Sequence, residues 1–109
     1  MGNRIVITTL QMIEISKLLE TDLETAKSLT DTEGWGNSSE DWNRLFKISH
    51  PIGAYDGDKL VGVTTAFDYG SIGMIGNVLV SEEYRGKDVG TKLVTEAMRR
   101  LESCSTVRV

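Results

Sequence analysis

Val78-Leu79-Val80-Ser81-Glu82-Glu83-Tyr84-Arg85-Gly86-Lys87-Asp88-Val89-Gly90-Thr91-Lys92-Leu93 is the stretch whose reading decides the fold. It opens on the apolar end of a buried strand. A short polar connection follows, then a glycine-containing loop with two cations, then the first turn of an amphipathic helix. The first N–H groups of a helix have no intrahelical partner, and the helix dipole adds partial positive charge there. Gly86 and Gly90 let the backbone approach a ligand closely, and Arg85 and Lys87 add charge. That combination makes an anion site, most naturally for a phosphate or diphosphate. A Walker-type loop does not fit. Gly86 and Gly90 enclose only Lys87, Asp88 and Val89, and Thr91-Lys92 follows in the wrong order.

Downstream, Leu93, Val94, Ala97, Met98 and Leu101 form one apolar stripe, which predicts a helix over 89–101. Arg99 and Arg100 fall in its last turn, where the dipole favours cations. Residues 106–109 begin another strand. Upstream, residues 72–80 are nearly all apolar, so this strand is expected to be central and covered on both faces. Gly73 and Gly76 inside it mark a bulge or a close backbone approach. Two further strands, 52–55 and 60–67, flank Asp56-Gly57-Asp58, a turn of the kind that closes hairpins. A second turn, Asp68-Tyr69-Gly70-Ser71, leads into the long strand.

Nearer the N-terminus, residues 12–18 alternate Ile13 and Ile15 against Glu14 and Ser16, the pattern of a first core strand. Thr21 and Glu24 are spaced as a capping box for a helix over 22–31. Glu33-Gly34-Trp35-Gly36-Asn37 breaks that helix. A second begins at Ser38 or Ser39, turns Trp42, Leu45 and Phe46 inward, and ends before Pro51. Residues 1–11 read as an N-terminal extension, and 12–109 as one domain. The element order is β-α-α-β-β-β-α-β.

These residues resemble the GNAT superfamily of acyl-CoA-dependent N-acetyltransferases. The family signature is an apolar strand, then Arg/Gln-x-x-Gly-x-Gly/Ala, then a helix. Val78-x-Val80 and Arg85-x-x-Asp88-x-Gly90 match it, with Asp88 standing where the family usually has Gly. The resemblance implies an α/β fold of the α+β type: a mostly antiparallel central sheet flanked by helices. It implies acetyl-CoA as co-substrate, with no metal, and transfer of an acetyl group to an amine. The coenzyme-binding residues it implies are Val78, Leu79, Val80, Arg85, Gly86, Lys87, Asp88, Val89, Gly90 and Thr91. The pantetheine arm is expected where the long strand splays from the next, with Leu79 or Val80 supplying an oxyanion N–H. Trp35, Asn37 and Tyr69 are candidates for the acceptor side.

No Glu, Asp or His lies on the long strand to serve as base, so no catalytic residue is assigned. The chain stops before the family's last elements. The expectation is therefore a partial domain, either a fragment of a longer polypeptide or a homodimer that completes the sheet. The other functional class is a non-catalytic module that keeps the fold for acyl-CoA binding or protein association.

Composition narrows the classes further. The chain has 109 residues, a formal net charge of −4 and 39% hydrophobic residues, enough for one core and ill suited to general nucleic-acid binding. No apolar run approaches a membrane span and no signal peptide is visible. The single cysteine, Cys104, excludes an internal disulfide and fits a reducing cytoplasm. His50 stands without a cluster of further metal ligands and reads as a surface or capping residue. The acids Glu20, Asp22, Glu24, Asp31 and Glu33 form a solvated face, able to attract a cationic amine.

Overall fold

A computed structural model describes residues 13–32 and 38–108. The N-terminal extension expected over 1–11 therefore lies outside the described residues, as do Trp35 and Asn37. The elements are β1 (Ile13–Lys17), α1 (Leu23–Thr32), α2 (Ser39–Ile48), β2 (His50–Asp56), β3 (Lys59–Asp68), β4 (Ile72–Val80), α3 (Val89–Arg100) and β5 (Thr106–Arg108). Short 3-10 turns precede α1 (Glu20–Asp22) and follow β4 (Glu82–Tyr84). Among the described residues the strands form one five-stranded sheet in sequence order, β1-β2-β3-β4-β5. β1 to β4 are antiparallel, and β5 joins β4 in parallel, pairing Ile72 with Thr106 and Met74 with Arg108.

Local chemistry explains the boundaries. Ser38 caps α2: its hydroxyl accepts the Asp41 amide at 3.1 Å, and the Asp41 carboxylate accepts the Ser38 amide at 3.0 Å. The bond from the Ser38 backbone holds the Asp41 carboxyl below its ordinary range. α2 ends at Ile48, where Ser49 returns both its amide and its hydroxyl to the Leu45 carbonyl ahead of Pro51. α1 is entered through a 3-10 turn, and Glu24 accepts the Ser39 hydroxyl at 3.1 Å, linking α1 to α2. Gly57, at φ +62, turns β2 into β3.

The sheet is covered on two faces by different helices. Val89, Leu93, Ala97 and Leu101 pack with Ile52, Ala54, Val61, Ala66 and Ile75 on one face. Burial of a side chain such as Leu93 or Leu101 contributes about 1.5–3 kcal/mol. α3 lies close to the sheet at Gly62, where a Cβ would come within 3.1 Å of Leu93 Cδ1 and 3.2 Å of the Leu79 carbonyl oxygen. On the other face Trp42 and Ala26, from α2 and α1, meet Leu18, Tyr55, Leu60, Val63 and Leu79.

Three expectations need correction. Thr21 and Glu24 do not form the expected capping box: Thr21 lies within the 3-10 turn, and the Glu24 carboxylate accepts the Ser39 hydroxyl instead. β4 is not covered on both faces along its length: Ile72 is 42% exposed and Met74 44% exposed, alternating with buried Gly73 and Ile75. Among the described residues the first half of the strand is covered on its α3 side, where Gly73 faces Leu101 and Ile75 joins the α3-side core. Met98 is likewise 44% exposed. The buried stripe of α3 is centred on Val89, Leu93, Ala97 and Leu101, and Met98 falls off its edge.

The bulge marked by the glycines is real and lies at one of them. Val63 pairs with Leu79 and Thr65 with Gly76, so three steps of β4 oppose two of β3. The Gly76 carbonyl accepts both buried hydroxyls of that region, Thr64 at 2.9 Å and Thr65 at 3.0 Å. The distortion therefore leaves that carbonyl satisfied.

Candidate functional site

β4 hands the chain to α3 through eight residues, 81–88. The Ser81 amide donates to the Val61 carbonyl at 2.8 Å, the last rung of the β3–β4 ladder. This rung fixes which way each β4 backbone group points. In an antiparallel ladder alternate residues bond across, so Leu79, two residues earlier and paired with Val63, faces β3. Val80, paired with Gly62 between those rungs, turns its N–H and C=O away from β3. Its carbonyl accepts Arg85 Nε at 3.0 Å on that outward side. β5 pairs with β4 only over residues 72–74, so the outward side of Val80 has no strand against it among the described residues.

The loop then makes two left-handed turns. Gly86 has φ +78, and a Cβ built there would meet nothing within 4 Å. Glycine is needed there for backbone conformation, and it leaves the loop surface bare. Asp88 has φ 63 and ψ 14, the one described non-glycine residue at positive φ. Asp88 is also the N-cap of α3, yet its carboxylate makes no capping bond. A capping side chain reaches the second or third amide from an extended backbone, which the left-handed conformation does not provide. The first helical bond runs from the Lys92 amide to the Asp88 carbonyl, 3.0 Å. The amides of Val89, Gly90 and Thr91 therefore precede the intrahelical ladder at the positive end of a 12-residue helix.

These features surround a cleft of about 280 Å³ lined by Val80, Tyr84, Arg85, Gly86, Asp88, Val89, Gly90 and Thr91. Seven of the ten residues expected to bind the coenzyme meet in its wall. Lys87 is exposed on the loop between Gly86 and Asp88. Val78 packs against the α3-side core, and Leu79, 6% exposed, belongs to the opposite core. Tyr84 is a wall residue that sequence reasoning passed over. Its only sequence signal was an aromatic ring next to Arg85-Gly86. Tyr69 lies at the opposite end of β4, 62% exposed, its ring stacked on Phe67 at 6.1 Å between centroids.

Two larger clefts offer less chemistry. One, about 500 Å³, runs past Lys17, Lys47, His50 and Arg100. Arg100 is already paired with Glu96 at 2.7 Å, and hydrogen bonds from Arg99 and Arg100 pull that carboxyl down to about 2. The other, about 360 Å³, is acidic, with Glu14, Asp22 and Asp58, and its Tyr55 hydroxyl is committed to Asp22 at 2.7 Å. The acidic cleft includes Thr21 and Asp22 of the turn that leads into α1, but its carboxylates would repel an anion there. Among the described residues no cluster of three His, Cys, Asp or Glu side chains could hold a metal ion, and no helix is long and apolar enough to cross a membrane.

The model of the acetyltransferase (GNAT) family matches residues 12–109. The chain belongs to the GNAT family. The match spans the whole β1-to-β5 unit and includes the loop and the head of α3. No curated protein matches the chain. Among solved structures, Rv2747 of Mycobacterium tuberculosis in complex with CoA superposes with a TM-score of 0.75 at 17% identity, covering 86% of this chain and 61% of that one. The PaiA N-acetyltransferase of Thermoplasma acidophilum, in complex with coenzyme A, gives 0.73 at 21% identity, covering 83% and 72%. The ribosomal-protein-S18-alanine N-acetyltransferase of Escherichia coli gives 0.74 at 18% identity, covering 84% and 60%. At these identities the likeness is one of fold. This chain spans about three-fifths of the length of the first and third of these proteins.

Proposed function

We propose that this GNAT chain binds acetyl-CoA at the cleft between β4 and α3 and transfers its acetyl group to an amine. One observation carries the reading. A left-handed Asp88 leaves the head of α3 uncapped, beside two glycines and Arg85. The amides of Val89, Gly90 and Thr91 would donate to the diphosphate, with Gly86 admitting it and Arg85 and Lys87 balancing its charge. Val80 would pair its outward backbone with the pantetheine arm. Of the two residues expected to offer an oxyanion N–H, Val80 has the outward orientation and Leu79 does not.

Acetyl transfer needs the thioester carbonyl and the amine held together, and the sheet edge beside β4 supplies one side of that alignment. The amine nitrogen forms a bond to the carbonyl carbon, the carbon–sulfur bond breaks, and the amine loses a proton. A non-catalytic acyl-CoA-binding module is favoured by one feature: residues 72–80 contain no Asp, Glu or His to take that proton. A thiol-release assay with acetyl-CoA and a panel of amines separates the two. Amine-dependent thiol release supports transfer. Tight CoA binding without release supports the module.

A further inference from the structure

The loop that forms the cleft is attached to the sheet by a side chain from a distant hairpin. The Tyr84 hydroxyl donates to Asp56 Oδ2 at 2.5 Å, across 28 residues of sequence. Asp56 is the last residue of β2, at the β2–β3 turn, and Tyr84 is the last residue of the 3-10 turn before Arg85. Lys59, the first residue of β3, adds to the same junction, its Nζ 5.7 Å from the Tyr84 ring centroid and 3.7 Å from Glu83. A hydroxyl bonded to a carboxylate is a strong, directional contact. The Asp56 bond also raises the Tyr84 phenol above the ordinary tyrosine range. The tyrosine ring in turn is a wall of the cleft. Beyond it the backbone enters the two left-handed positions, Gly86 and Asp88, which lie outside every strand among the described residues.

We propose that the Tyr84–Asp56 hydrogen bond is a positioning contact for coenzyme binding: it fixes the start of the phosphate loop against the β2–β3 hairpin. The inference rests on reading that loop as the coenzyme site. Without the bond, Tyr84 keeps only its packing against the α3-side core and the Lys59 contact, so the wall is held less firmly and part of the ordering of the loop falls to the ligand.

The test is calorimetric titration of CoA into the wild type, Tyr84→Phe, Asp56→Ala, Asp56→Asn and the Tyr84→Phe/Asp56→Ala double variant, with a thermal melt of each. A wild type that does not bind CoA overturns the reading of the site itself. If it binds, each single deletion is expected to weaken CoA about tenfold, as befits one hydrogen bond to a charged acceptor. The double variant should be no weaker than either single variant, because both remove the same bond. Asp56→Asn, which keeps an acceptor oxygen, should retain most of the affinity. A merely structural role would not produce that rescue. Unchanged affinity in both single variants, additive losses, or an Asp56→Asn loss equal to that of Asp56→Ala would overturn the proposal. The two single variants remove the bond from opposite ends, so misfolding of one leaves the other to decide.

Discussion

Asp88 starts α3 through its carbonyl, which accepts the Lys92 amide at 3.0 Å, while its carboxylate caps nothing. The residue therefore begins the helix without occupying the amides at its head. It also carries a negative charge at the place proposed for a diphosphate.

Asp88→Gly is expected to strengthen CoA binding several-fold. Glycine adopts φ 63 without steric cost, and the substitution removes a repelling carboxylate. Asp88→Asn divides the two effects, since it removes the charge and keeps the Cβ. Calorimetry in low and high salt measures both. The part of the gain that Asp88→Asn shares should shrink with salt. No gain in either variant would remove the carboxylate from the account.

Trp42 is fully buried, and its Nε1 has no hydrogen-bond partner among the described residues. Trp42→Ala should cost about 3–5 kcal/mol through the cavity it leaves. Trp42→Phe should cost distinctly less, because it deletes a buried donor that makes no bond. Urea unfolding of both variants checks the order. Equal costs would mean that the indole N–H is satisfied in solution.

Tyr55 makes stability depend on alkaline pH. Burial, and after it the bond to Asp22, push its phenol up to about 12. In the unfolded chain the phenol ionises near pH ~10. The unfolded state therefore releases a proton that the folded state keeps. The Tyr55 contribution is complete below pH ~10 and is lost as pH rises through about 12. Tyr55→Phe should flatten this loss by up to about 2 kcal/mol, read as urea midpoints from pH ~9 to ~11.5. Tyr84 is also raised, by its bond to Asp56, so Tyr84→Phe is the companion control.

The order of elements was legible because the signals are local. Period-two alternation gave β1 and β3, helical spacing gave α2 and α3, and the Ser38-to-Asp41 spacing carries its own cap. The limits of β4, Ile72–Val80, could be read from an unbroken apolar run between two turns. Coverage of that strand could not, because exposure of Ile72 and Met74 depends on which elements pack over each face. Most of the cleft wall could be named from the loop alone, since its residues are neighbours in sequence. Choosing Val80 over Leu79 needed the ladder's phase, which the Ser81–Val61 rung supplies from a different strand. The Tyr84–Asp56 bond left no local trace. Each of those residues, met alone, is a turn residue.

The claim on which the rest depends is that the amides heading α3 hold the diphosphate of coenzyme A. Titration of the isotope-labelled chain with CoA, followed by amide NMR, tests it most directly. The account predicts saturable shifts concentrated at Gly86 and at Val89, Gly90 and Thr91, with Val80 moving as the pantetheine arm settles. Shifts confined to other surfaces, or a loop left unmoved at saturating CoA, would contradict it.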